Sequence, residues 1–313
     1  MKVKRPIFWD SFNFISLLLL PFSLITIIFN FFKSLRLKKY FKIKTICVGN
    51  IYLGGTGKTP LVLKINDMLK YKFKTVFIKK KYIDQIDEQN ILSKYGNLIC
   101  LSFRDIALRI AEKKNYQLAI LDDGLQDKSL SYDISIACFN SSELVGNGLV
   151  LPAGPLRERI TNILNYDLAF LNGEKNNKSF EKTLKRLNPN LKIFRAKYTP
   201  RNLESFKFKN NFLVFSGIGN PLEFQQTLKK YNFKIKKIMS FPDHYKYKNS
   251  DINNIKNMAK SNKLKIITTE KDYNRLSNIQ KKNIQFLKIE LKIEKEKEFK
   301  NFLLKKLWGS FFI

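Results

Sequence analysis

The chain has 313 residues, enough for two domains with their own cores, and its 58 Lys and Arg against 26 Asp and Glu give a net charge of +32. A single histidine excludes a histidine metal cluster or a two-histidine mechanism. Three cysteines, Cys47, Cys100 and Cys138, lie in apolar runs without metal-ligand spacing and read as reduced, buried thiols rather than a disulfide framework.

The basic excess draws anionic partners, but it is spread along the chain and builds no recognition module. No specific nucleic-acid partner is expected from it.

The first element is a membrane segment. Between Ile7 and Phe32 the only charge is Asp10. As a helix these 26 residues would reach roughly 39 Å, enough to cross or deeply enter a bilayer. Lys2, Lys4 and Arg5 precede the run, and Lys33, Arg36, Lys38 and Lys39 follow it. Trp9 sits where an interfacial anchor would, and Pro21 falls mid-segment. No small-x-small cleavage site ends the run, which argues against a secretory leader, and the basic cluster after it places the body on the cytoplasmic side.

From residue 44 onward, strands alternate with helices. Strands are expected at 45–49, 75–78, 98–101, 118–121, 134–139 and 168–171, with helices at 58–70, 86–95 and 106–113. Such alternation predicts an α/β fold with a mainly parallel sheet covered on both faces. Near residue 200 the texture turns polar and basic, and a second series follows with strands at 212–216, 233–239, 266–269 and 285–289. A basic-apolar helix over 294–307 and an apolar tail with Trp308, Phe311 and Phe312 end the chain.

The first strand runs into Asn50-Ile-Tyr-Leu-Gly54-Gly55-Thr56-Gly57-Lys58-Thr59-Pro60. Gly-Lys-Thr opening a helix after a strand is the pattern of a phosphate loop. Its glycines let backbone N–H groups close on phosphate oxygens, Lys58 reaches the β- and γ-phosphates, and the Thr59 hydroxyl can bind Mg²⁺. The match is partial, since Tyr52 stands where the common pattern has glycine. The strand over 118–121 then delivers Asp122 and Asp123 to the same sheet edge, where one carboxylate can hold Mg²⁺. ATP and Mg²⁺ are the implied cofactors.

Together these segments resemble the tetraacyldisaccharide 4'-kinase family. Val48–Pro60 is similar to its unusual phosphate loop, Asp122-Asp-Gly-Leu-Gln126 to its acidic motif, and Leu151-Pro-Ala-Gly-Pro-Leu-Arg-Glu158 to a family hallmark. Phe215–Pro221, Phe241-Pro-Asp-His244 and Thr268-Thr-Glu-Lys-Asp272 follow in family order.

The resemblance implies two α/β/α sandwich domains, the first P-loop NTPase-like, behind an N-terminal membrane helix. The expected division is 1–40 for the anchor and its basic flank, 41–204 for the P-loop kinase domain, and 205–313 for a smaller C-terminal α/β domain with the terminal helix. The implied activity is transfer of the ATP γ-phosphoryl group to the 4'-hydroxyl of a tetraacyldisaccharide 1-phosphate in lipid A biosynthesis. The implied place is the cytoplasmic face of the Gram-negative inner membrane, with its anionic lipids as further partners.

The resemblance also implies roles. Asp87, in a segment similar to the family's Gly-Asp-Glu-Pro, would be the base and His244 its partner. Lys58 would be catalytic, Gly54, Gly55, Thr56, Gly57, Lys58, Thr59 and Gln126 would bind nucleotide, and Thr59, Asp122 and Asp123 would hold the metal. The chain departs from the family at Asp127, where a histidine is usual, and at Lys79-Lys-Lys-Tyr82, where the family has Ser-Arg-Gly-Tyr.

Two other readings share some of these features. A membrane-associated P-loop ATPase switch of the partitioning or cofactor-insertion type would also have the loop and the acidic strand end. A basic nucleic-acid-binding membrane protein rests on charge alone.

Overall fold

In a computed structural model, residues 6–82, 86–243 and 245–309 are described. The chain divides into two compact units. One runs to Lys197 and resumes at Leu291; the other is Tyr198–Glu290.

The first unit opens with helix α1 (Phe14–Ser34), which Asn13 caps by accepting from the Ser16 N–H at 3.0 Å. It is the one helix among the described residues long and apolar enough to cross a membrane. Its two faces differ. Ser16 and Ser23 are buried, whereas Leu18, Phe22, Ile25, Phe29 and Phe32 form an exposed apolar stripe on the opposite side. The serine face is tied to the body: Ser23 Oγ donates to the Val150 carbonyl at 2.8 Å, and Asn30 donates to the Arg157 carbonyl at 2.8 Å.

Then follow β1 (Lys44–Gly49), α2 (Lys58–Leu69), β2 (Thr75–Lys80), α3 (Ile86–Tyr95), β3 (Leu98–Leu101), α4 (Arg104–Lys113), β4 (Leu118–Asp122) and β5 (Ile134–Asn140). β6 (Leu168–Asn172), α5 (Lys178–Leu187) and β7 (Lys192–Pro200) complete this stretch.

The second unit contains β8 (Asn211–Ser216), α6 (Pro221–Lys230), β9 (Lys234–Ser240), α7 (Asn249–Ser261), β10 (Lys265–Thr269), α8 (Glu270–Asn274), α9 (Asn278–Lys281) and β11 (Ile284–Leu287). Its sheet runs β11-β10-β8-β9, all pairs parallel. The chain closes with β12 (Ile289–Ile293) and α10 (Glu296–Trp308).

The larger sheet has the order β12-β7-β6-β5-β1-β4-β2-β3, and its pairs from β7 to β3 are parallel. Every residue of β4 and β5 is buried, as expected of central parallel strands covered on both faces. β1 lies between β4 and β5, and its register pairs Val48 with Asp122. The end of β1 and the acidic end of β4 therefore emerge side by side at the carboxyl edge, where open α/β sheets bind ligands.

The terminal segment departs from expectation. Sequence placed residues 205–313 in one domain, but those from Leu291 onward join the first unit. β12 extends the large sheet beside β7, and Phe299 of α10 is fully buried against Phe170 and Phe194, ring centroids 5.7 and 5.1 Å away. Trp308 stacks on Phe73 at 5.0 Å. Aromatic burial on the first sheet decides the placement. Phe311 and Phe312 lie outside the described residues.

Candidate active site

The phosphate loop links β1 to α2. Gly57 caps α2 with φ +80°, a left-handed conformation that favours glycine and turns the first N–H groups of the helix outward. Asn50 is fully buried, and its amide donates to the Tyr52 carbonyl and, at 3.2 Å, to that of Gly54.

Residues 151–158 clasp the loop from outside. The Leu53 N–H donates to the Pro155 carbonyl at 2.8 Å and the Arg157 N–H to the Ile51 carbonyl at 2.7 Å. Gly154 must be glycine for the segment's own turn, because a Cβ there would sit 2.4 Å from the Leu149 carbonyl. The Leu151–Glu158 motif is thus a brace for the loop, and α1 holds the brace from behind.

Asp122, 1% exposed, ends β4. Its Oδ2 accepts from Thr59 Oγ1 at 3.1 Å and from Lys79 Nζ at 2.7 Å. Lys79 Nζ also reaches Glu88 Oε2 at 2.8 Å. Burial pulls the Lys79 pKa down, but the charges of Asp122 and Glu88 outweigh it, so the ammonium is held above its usual range. Asp122 Oδ1 is buried and finds no partner among the described residues; neither does the Thr56 hydroxyl, buried in the loop.

Asp123 adopts φ +63°, and the Arg157 guanidinium grips its carboxylate at 2.9 and 3.1 Å. Lys58 Nζ stands 4.0 Å from the same carboxylate. Burial alone would raise the Asp123 pKa, but Lys58 and Arg157 outweigh it and hold the carboxyl below its usual range. Gln126 joins three parts of the site. Its amide nitrogen donates to the Asn50 carbonyl at 2.9 Å and to Glu158 at 3.1 Å, and its oxygen accepts from Arg157 at 3.2 Å. Glu158, 2% exposed, is held in turn by Lys128, Asn162 and Tyr166.

The donor set suits Mg²⁺. Among the described residues no three His, Cys, Asp or Glu converge on a metal position. Mg²⁺ is commonly bound through one or two carboxylates together with substrate phosphates, and Thr59 and the unpartnered oxygen of Asp122 are hard donors beneath the loop.

Of the residues singled out in the sequence, Gly54, Gly55, Thr56, Gly57, Lys58, Thr59, Asp122, Asp123 and Gln126 gather at one sheet edge. Asp87 lies in the first turn of α3, its side chain outside what is described, and His244 lies outside the described residues altogether. Asp127 pairs with Arg104 at 3.5 Å and accepts from Ser129 at 2.7 Å. Sequence reading missed Lys79, Glu88, Arg157 and Glu158 as parts of the site. Arg157 and Glu158 had a signal in the Pro-Leu-Arg-Glu motif, but a lysine at the end of a strand carried none. Buried Cys47, whose thiol is pushed up to about 12 by desolvation, is an inert packing group.

This geometry agrees with the likeness to known proteins. The sequence profile of the tetraacyldisaccharide-1-P 4'-kinase family matches residues 15–97 and 87–308. A tetraacyldisaccharide 4'-kinase of Pelagibacter ubique is 47% identical over 97% of this chain and 98% of its own length. That of Rickettsia canadensis is 36% identical over 94% of each. In fold, the crystal structure of the "apo" form of LpxK from Aquifex aeolicus in complex with ATP is similar at TM-score 0.70 and 23% identity, covering 94% of this chain and 99% of that one. With a family profile spanning most of the chain and a relative matching it end to end at nearly half its positions, the chain belongs to the tetraacyldisaccharide-1-P 4'-kinase family.

Proposed function

We propose that the chain transfers the γ-phosphoryl group of ATP to the 4'-hydroxyl of a tetraacyldisaccharide 1-phosphate, working at the cytoplasmic face of the inner membrane. The observation that carries the reading is Asp122. It is buried under the phosphate loop, bonded to Thr59 and Lys79 through one oxygen and without a partner among the described residues at the other.

In this reading the N–H groups at the start of α2 and the Lys58 ammonium hold the β- and γ-phosphates. Thr59 and Asp122 hold Mg²⁺, with Asp123 beside them steering Lys58. When bound, the metal neutralises charge that gathers on the transferring group. Gln126 and Glu158 keep Arg157 in place over Asp123. Asp87, by resemblance to the family, accepts the proton of the attacking hydroxyl, and His244 positions it.

The exposed stripe of α1 suits the lipid side of a bilayer surface, and its serine face is held by the body, so the helix enters the membrane on one side rather than crossing it. A groove of about 320 Å³ beside α1, lined by Ile27, Asn30, Phe31, Lys38, Lys128 and Arg159, suits an anionic lipid headgroup.

The test is to incubate the purified chain with Mg-ATP and tetraacyldisaccharide 1-phosphate and to analyse the lipid. A bis-phosphorylated product is expected, and Asp87→Asn should lower kcat by about 10²–10⁴-fold with nucleotide binding nearly intact. ATP hydrolysis at full rate without lipid, and no phosphorylated lipid, would favour the ATPase switch instead.

A further inference from the structure

The site holds, besides Lys58, a second cation buried among its carboxylates. Lys79 lies beneath the phosphate-loop edge of the sheet with a side chain only 3% exposed, between the fully buried Asp122 carboxylate and that of Glu88, at 2.7 and 2.8 Å. A lysine is almost never buried unless it is paired, and here both partners are carboxylates of the nucleotide side of the cleft. The other oxygen of Asp122 has no hydrogen-bond partner among the described residues. Among the described residues the ion-paired groups here are three carboxylates, Asp122, Asp123 and Glu88, and three cations, Lys58, Lys79 and Arg157. The charges of these six groups cancel before any ligand arrives.

We infer that Lys79 is a built-in counter-cation of the metal position: it satisfies Asp122 and Glu88 in the nucleotide-free chain, so that a free divalent ion is held weakly and the metal enters with its nucleotide.

The physical reason is one of charge. A divalent ion at Asp122 Oδ1 would stand within a few ångströms of the Lys79 ammonium, and like charges that close in a protein interior repel by kilocalories. A nucleotide triphosphate adds negative charge to the same cleft and outweighs that repulsion. Without Lys79, the cleft would carry an excess negative charge at a buried carboxylate, a strong site for a bare cation. The departure from the family's Ser-Arg-Gly-Tyr segment thus has a chemical content, because a serine at position 79 could bond to Asp122 but could not balance it. The inference rests on the nucleotide site proposed above.

The experiment titrates Mn²⁺ into the full chain and follows free Mn²⁺ by its electron paramagnetic resonance signal, with and without ATP. The variants are Lys79→Gln, whose amide can still bond to both carboxylates, Lys79→Met, and Lys79→Gln combined with Asp122→Asn. In the absence of nucleotide the wild type should bind Mn²⁺ weakly. Lys79→Gln and Lys79→Met should bind it roughly tenfold more tightly or better, and the double variant should return to the wild-type level. Mn²⁺ should also raise the melting temperature of Lys79→Gln while leaving that of the wild type in place.

Unchanged Mn²⁺ affinity in Lys79→Gln, with only a lower melting temperature, would make Lys79 a structural ion pair and overturn the inference. So would tightening that survives the removal of Asp122. If ATP fails to tighten Mn²⁺ binding in the wild type, the nucleotide reading fails, and the nucleotide-free comparison still decides the role of Lys79.

Discussion

Two buried aspartates, one in each unit, sit near the carboxyl end of a parallel strand and have been put to opposite uses. Asp272 follows β10 in the first turn of α8 and is fully buried. Both its oxygens are saturated. Oδ1 accepts from the Tyr247 hydroxyl at 3.0 Å and from Arg275 at 2.9 Å, and Oδ2 from the Gly217 N–H at 3.1 Å and the Thr269 hydroxyl at 2.7 Å. Asp122 at the end of β4 is just as buried but, among the described residues, has donors on one oxygen only. A saturated carboxylate fastens a loop, a helix start and an arginine together and has nothing left for a ligand. A half-satisfied one keeps capacity in reserve at the expense of stability.

That contrast can be broken most forcefully at the phosphate loop. Lys58→Ala should lower phosphoryl transfer by on the order of 10³-fold, because in the proposed reading it removes the cation that holds the transferring phosphate, while the melting temperature stays near wild type. Full transfer by this variant would detach the loop from the chemistry.

Next in size is the structural partner. Asp272→Asn breaks the ion pair with Arg275, whose side chain is nearly buried, and removes the charge that four donors share. A loss of about 3–5 kcal/mol is expected, seen as a fall of more than about 10 °C in the transition of the Tyr198–Glu290 unit. Asp122→Asn should shift melting less, since Lys79 keeps the Glu88 carboxylate at 2.8 Å and the native Asp122 carboxylate has donors on one oxygen only among the described residues. Calorimetry on both variants sharpens the comparison, and equal shifts would erase it.

The smallest effect concerns pH. Lys58 and Arg157 hold the Asp123 carboxyl below its ordinary range, so the folded state favours its charged form. The stability this gives is fully present above the unfolded pKa, about 3.9, and is lost as pH falls through the lower folded value. The gap in melting temperature between wild type and Asp123→Asn, a few degrees, should be constant from pH 8 to about 5 and close below about pH 4. A gap that closed between pH 7 and 6 would show that another group carries it.

Much of this was legible in the sequence because local patterns forced it. Gly57-Lys58-Thr59 between a strand and a helix, and an apolar strand ending in Asp122-Asp123, can be read without any fold, since each needs only its own neighbours. The partners of those residues were not legible. Lys79 is the last residue but one of β2, and only the pairing of β2 with β4, Lys79 opposite Asp122, brings the two together. Glu88 reaches the site from α3, and Arg157 from a segment whose backbone is fixed by the loop it braces. The same limit misplaced the chain end. The helix over 294–307 was expected, and its position within two residues is as observed, but which sheet it covers depends on Phe170 and Phe194, more than a hundred residues away. Asp272 shows the converse, a motif residue whose surroundings are entirely structural.

The most direct measurement runs Asp122→Asn and Asp272→Asn side by side in transfer of labelled γ-phosphoryl from Mg-ATP to tetraacyldisaccharide 1-phosphate, normalised to folded protein. Asp122→Asn should lose about 10²–10³-fold with an altered Mg²⁺ dependence, and Asp272→Asn should transfer at close to the wild-type rate per folded molecule. Undiminished transfer by Asp122→Asn, or an equal loss in both variants, would contradict the assignment of the chemistry to the end of β4.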